Sequence, residues 1–137
     1  MKNFKKIKYS SLKPKQQESY NYQKISSVLA EYGFNTIKLS DDWEGADFIA
    51  QHINKKDFIK VQLKGRILVS KKYQNKDLWI ALRTSNKVYF YPHDEFLEFV
   101  LLNSNIANTS SWKVKGEYHW PRTPQRFYKF INEYLLE

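Results

Sequence analysis

The 137-residue chain contains no cysteine, which removes disulfides, thiolate zinc sites and cysteine nucleophiles, and with them zinc-finger DNA binding. A reducing cytosol suits such a chain. It has only 4 glycines and 4 prolines, and these form no glycine-rich phosphate loop, nucleophile elbow or flexible linker. No apolar run approaches the ~20 residues of a membrane span, and no apolar stretch of leader-peptide length follows the early lysines. The expectation is a soluble cytoplasmic protein with no membrane partner. His52, His93 and His119 stand apart, without metal-ligand spacing, and read as structural or surface residues.

What the chain has in excess is positive charge and aromatic side chains. Lys and Arg number 23 against 14 Asp and Glu, a formal +9, which favours a polyanionic partner such as nucleic acid. Apolar residues make up 42% and aromatics 17%, enough large side chain to fill a core. The length fits one domain spanning residues 1–137, with residues 1–15 as a lysine-rich N-terminal arm that ends at Pro14 and Lys15.

Tyr22, Ile25, Leu29 and Tyr32 repeat at helical spacing and predict a helix over 16–32, closed by Gly33. One turn back on the same face stands Glu18. Strands are predicted over 34–39, 47–52 and 58–64, with a polar turn at 40–45 and a hairpin loop at 53–57. Two more follow over 78–83 and 87–91, around Thr84-Ser85-Asn86. Asp94 is expected to cap a helix to Leu102. The segment 112–120 is ambiguous between strand and extended aromatic chain. A last helix is expected with Thr123 as cap, Pro124 at its first position and Phe127, Phe130, Ile131, Tyr134 and Leu135 on one face. The order is α/β in class.

The third strand carries the chemistry. Gln62 and Lys64 are two apart and point the same way, roughly 7 Å from each other. A hairpin turning about Lys55-Lys56 would set Asp47 opposite Lys64 and Ile49 opposite Gln62. One carboxylate, one amide oxygen and one lysine would converge there. Phosphodiester hydrolysis needs a divalent cation on hard oxygen ligands, an activated water and positive charge for the transition state. Asp47, Gln62 Oε1 and the Leu63 carbonyl are the candidate metal ligands, Lys64 serves the water or the developing charge, and Glu18 offers a second carboxylate. Asp41, Asp42 and Glu44 are alternative acids, or a solvated turn.

Gly45-Ala46-Asp47-Phe48-Ile49-Ala50, followed by Val61-Gln62-Leu63-Lys64, resembles the PD-(D/E)XK nuclease superfamily. Glu18 on a helix and then Glu31-Tyr32-Gly33-Phe34 are similar to the first helix and turn of archaeal Holliday-junction resolvases and small intron-encoded homing endonucleases in that superfamily. The likeness spans about Glu18 to Arg66. Ala46 stands where the superfamily name has Pro, and Gln62 where it has an acid; Gln-X-Lys is a variant within the group. The resemblance implies a restriction-endonuclease-like αβββαβ core, a mixed central sheet flanked by helices, DNA cleavage dependent on Mg²⁺ (Mn²⁺ in its place), and a homodimer or higher oligomer.

Basic residues surround this hairpin. Lys60 shares the Gln62 face, Arg66, Lys71, Lys72 and Lys76 follow the strand, and Arg122 and Arg126 lie in an aromatic-basic stretch with Trp112, Lys113, Lys115, Tyr118 and Trp120. All are candidates for DNA contact, against the alternatives of solvated loop and aromatic core. Two other readings stand beside the nuclease: the same fold without catalysis, binding nucleic acid or a partner, and a basic domain that binds structured RNA.

Overall fold

In the computed structural model, residues 3–137 are described, so Met1 and Lys2 of the expected basic arm lie outside the described residues. The rest of the arm is exposed up to a 3₁₀ turn at Tyr9–Ser11. Helix α1 follows over Pro14–Ala30, with Pro14 in the first turn and the Gln16 side chain accepting the Lys13 backbone N–H at 2.9 Å. Ile25 and Leu29 are fully buried beneath it. Gly33, at φ +86°, reverses the chain into the sheet.

The strands are β1 (Phe34–Trp43), β2 (Ala46–His52), β3 (Phe58–Lys64), β4 (Leu68–Ser70), β5 (Leu78–Thr84), β6 (Lys87–Pro92), β7 (Glu117–His119) and β8 (Leu135–Leu136). Six form a mixed sheet in the order β1-β2-β3-β5-β6-β8, in which β3 and β5 run parallel and the other neighbours antiparallel. β4 and β7 make a separate two-stranded ribbon. α1 covers one face over Phe48, Ala50, Val61, Ala81 and Phe90; helices α2 (His93–Asn103) and α3 (Tyr128–Ile131) cover the other over Ile80, Leu82, Tyr89 and Tyr91. This mixed sheet between helices is the expected α/β architecture.

Several elements differ from expectation. β1 runs on to Trp43, so the turn shrinks to Glu44 and Gly45, both at positive φ. The β2–β3 pairing sets Phe48 against Val61 and Ile49 against Lys60, two residues away from the expected register. Continued one step, it puts Asp47 beside Gln62 and not opposite Lys64. The cause is Asn54, whose carboxamide oxygen accepts the N–H groups of Lys56 and Asp57 at 2.8 and 3.1 Å and so moves the turn one residue upstream. A slip of two keeps every side chain on its face.

The crossover from β3 to β5 contains β4 and a 3₁₀ turn at Lys71–Tyr73 in place of the helix that the αβββαβ order has there. Asp94 does not cap α2, whose cap position is Pro92; its carboxylate instead accepts the Asn75 N–H at 2.9 Å. Residues 111–115 form a π-helical turn ahead of β7. The last helix breaks into 3₁₀, α and 3₁₀ turns over 125–134. Tertiary demands override its spacing: Phe127 packs edge-on against Trp120, Phe130 stacks on Tyr134, and Leu135 and Leu136 must pair with β6.

Fully buried His93 pins the crossover to α2. Its Nε2 accepts the Ser70 N–H at 3.2 Å, so Nδ1 carries the proton and donates to Asp94 Oδ1 at 3.0 Å. Burial pushes the imidazole below its ordinary 6.5, against the opposing pull of Asp94. The unfolded chain therefore takes up a proton first, and stability should fall as pH drops below 6.5. Urea midpoints measured between about pH 7.5 and about pH 5.5 should decline, and the decline should vanish in His93→Gln. A flat wild-type midpoint would contradict this account.

Candidate active site

Asp47 enters the site at the start of β2, directly after the tight turn. That turn needs Gly45, because at φ +91° a Cβ would lie 2.9 Å from Cδ1 of the Tyr73 ring. Tyr73 thereby packs under the hairpin, 5% exposed, and links the crossover to β1 and β2.

The Asp47 carboxylate receives two hydrogen bonds on Oδ2: from Gln62 Nε2 at 3.0 Å and from the Leu63 backbone N–H at 2.8 Å. An ionised carboxylate only accepts, so Gln62 must face it with its amide nitrogen and turn Oε1 elsewhere. Gln62 is thus placed to orient Asp47, which differs from the expected presentation of its oxygen beside the carboxylate. Among the described residues Oδ1 has no protein donor and keeps its lone pairs free.

Beside Asp47 is a cavity of about 150 Å³ whose walls carry the carboxylates of Glu18, Asp41 and Asp42 as well as Asp47. α1 delivers Glu18, as the helical spacing predicts, and the irregular end of β1 delivers the two aspartates. Burial raises the Asp47 carboxyl above its ordinary 3.8, with Glu18 and Asp42 adding to the rise, while the Leu63 N–H and Lys64 oppose it. A cation in the cavity would offset that burden. Among the described residues no three acidic or imidazole groups form a complete metal cage. The donors nonetheless fit Mg²⁺, a hard cation commonly held by one or two carboxylates, with water and substrate phosphate filling its shell.

Lys64, half-buried, lies 5.8 Å from the centre of the Tyr73 ring, with Lys72 at 5.2 Å from the same ring. Burial lowers the Lys64 pKa, Lys72 and Arg66 lower it further, and Asp47 pulls the other way. Burial also pushes the Tyr73 phenol up to about 12, helped by Asp47, so its neutral ring forms a wall and brings no competing anion. Tyr73 is a site residue that strand alternation alone does not flag; its only sequence signal is an aromatic among the lysines of the crossover.

The expected DNA contacts divide. Lys72 and Lys76 line a second cavity of about 410 Å³ with Gln62 and Tyr73, and Arg66 is exposed just beyond Lys64. Lys71 lies over the Trp112 ring at 5.1 Å, and its backbone N–H donates to the Gly116 carbonyl. Lys60 turns to Glu44 at 3.6 Å and to the Trp43 ring. Arg126 is not brought to this centre: its Nε donates to the Asn103 carbonyl at the far end of α2, and its guanidinium covers Phe127. Arg122 is exposed after β7. Trp112 and Phe127 are buried, and Tyr118 and Trp120 pack against the same core, so those rings fill the interior.

No family model and no curated protein matches this sequence. Among solved structures, a bacterial homing endonuclease is similar over 83% of this chain and 79% of its own, with a TM-score of 0.50 and 16% identity. The Holliday junction resolvase Hjc of Archaeoglobus fulgidus is similar over 54% of this chain and 76% of its own, with a TM-score of 0.45 and 17% identity. The homing endonuclease is a restriction-endonuclease-like nuclease. With its mixed sheet between helices and its Asp47 hairpin at the strand ends, the chain has the restriction-endonuclease-like fold.

Proposed function

We propose that the chain is a Mg²⁺-dependent DNA endonuclease that hydrolyses phosphodiester bonds. The observation that carries the reading is the Asp47 carboxylate, fixed by Gln62 and Leu63 at the wall of an acid-lined cavity, with Lys64 two residues along the same strand. Asp47, with Glu18 or Asp42 across the cavity and the Leu63 carbonyl, would hold Mg²⁺ or Mn²⁺, whose chemistry is to polarise the phosphoryl group and lower the pKa of a bound water. Gln62 positions Asp47. Lys64, its pKa lowered by burial and its ammonium held near the Tyr73 ring, orients the attacking water or offsets charge on the phosphorane. Arg66, Lys72 and Lys76 grip the backbone on the crossover side, and a homodimer would be needed to cut both strands at one place.

Supercoiled plasmid should be nicked or linearised by the purified chain in Mg²⁺ and left intact in EDTA. Lys64→Ala should lower the rate roughly a hundredfold or more. Equal cutting in EDTA, or an undiminished Lys64→Ala rate, would overturn the mechanism. The amide at Gln62 favours a second reading, a binding protein of the same fold. Failure to cut supercoiled, branched and single-stranded DNA alike, with no calorimetric Mn²⁺ binding, would select it.

A further inference from the structure

Beyond the Asp47 centre, the face of α1 near its start holds a group of side chains that the cleavage chemistry does not use. Arg83, at the end of β5, is half-buried, and its guanidinium is held at fixed angles. Nη1 donates to Asn21 Oδ1 at 3.0 Å and Nη2 to Asn86 Oδ1 at 3.2 Å. The plane lies 5.5 Å from the centre of the Tyr20 ring. Asn86 is itself fixed, because Ser85 and Asn86 both have positive φ and form the tight turn between β5 and β6.

Every partner of Arg83 is neutral. Among the described residues no carboxylate lies within ion-pair distance of it. Two amide oxygens satisfy two of its N–H groups and leave its charge and remaining donors unanswered. Lys24 Nζ sits over the same Tyr20 ring, also at 5.5 Å. Two cations thus share one aromatic ring, and among the described residues neither is ion-paired.

Asn21 joins this group to the active site. Its Nδ2 donates to the Tyr9 hydroxyl at 2.8 Å, and Tyr9 packs edge-on against Tyr20. Tyr9, Gln17 and Asn21 form one wall of a cavity of about 230 Å³ whose other wall is Leu63, Lys64 and Gly65. Glu18 also lines it, on the side toward Asp47, and repels an anion toward the Asn21 end. Arg83 does not line the groove itself but is hydrogen-bonded to its wall residue Asn21, so it stands behind the end of the groove away from Asp47.

We propose that Arg83 and Lys24, which share the Tyr20 ring, bind the phosphate backbone of the DNA strand that leaves the active site, beside a groove walled by Tyr9. The inference rests on DNA being the partner proposed above. Its test is fluorescence anisotropy with a labelled duplex in EDTA, a readout that does not use cleavage. Arg83→Gln should weaken binding roughly tenfold at about 0.1 M salt and reduce the slope of log Kd against log salt by about 0.9. Arg83→Lys, which keeps the charge, should keep the slope. Arg83→Gln with an unchanged melting temperature, affinity and slope would overturn the site. If Arg83→Gln does not fold, Lys24→Ala, at an exposed helix position, should also lower the slope, and an unchanged slope there overturns the site. A wild-type chain that binds no duplex overturns this inference and the nuclease together; one that binds and never cuts defeats the nuclease and leaves the site standing.

Discussion

Asp47→Asn is expected to reduce plasmid cleavage by roughly a thousandfold or more while leaving the fold intact. Asparagine is nearly isosteric, and its carboxamide oxygen can still accept from Gln62 Nε2 and the Leu63 N–H, the two bonds that set the hairpin geometry. What disappears is the negative charge for a cation. The folded state also gains from that loss. Burial raises the Asp47 carboxyl above its unfolded value, so near pH 7 its ionised form is less stable in the folded chain than in the unfolded one. Removing the charge should therefore hold or raise the melting temperature as activity vanishes, a trade between stability and function. Plasmid cleavage and thermal unfolding on the same preparation check both halves. A variant that cuts at the wild-type rate would remove Asp47 from the mechanism.

Phe48→Ala should cost about 3–5 kcal/mol of unfolding free energy, measured by urea denaturation. Phe48 follows Asp47 in the strand and points to the opposite face, fully buried beneath α1, with the Tyr22 ring edge-on at 5.1 Å. Domains of this kind are stable by about 5–15 kcal/mol, so the loss is a large share of the total. Because Phe48 holds α1 against the hairpin, the same variant should loosen Glu18 relative to Asp47 and depress cleavage at temperatures where it is still folded. A loss below about 1 kcal/mol would mean that α1 is held elsewhere.

The parts of this arrangement that were legible in the sequence are those set by local pattern. β3 was readable to the residue because Ile59, Val61 and Leu63 alternate with Lys60, Gln62 and Lys64, and Gly33 marked the end of α1. Gln62 and Lys64 are legible as a same-face pair because a strand has a fixed period, and Asp47 as the carboxylate of the neighbouring hairpin strand. Their register was not, since it depends on one Asn54 carboxamide in the loop. The C-terminal aromatics had helical spacing, yet Trp120, α2 and β6 decide where each ring goes, and local pattern carries no trace of that competition. That Arg126 lies away from the Asp47 centre is not legible either, because charge says nothing about which carbonyl lies nearby. Tyr73 and Arg83 owe their positions to elements distant in sequence, the turn at Gly45 and the face of α1.

The irregular stretch of β1 has a consequence for solubility as well. β1 is an edge strand of ten residues, and a long regular edge offers its free N–H and C=O groups to any other strand it meets. Here the pairing with β2 is broken between Lys38 and Trp43, and that interval carries Lys38, Asp41 and Asp42, the kind of twist and charge that blunts an edge. The same residues wall the Asp47 cavity. Straightening the stretch into a regular ladder would withdraw its acids from the cavity and make the edge adhesive in one step, so variants selected for aggregation at this edge should also be those that lose the centre.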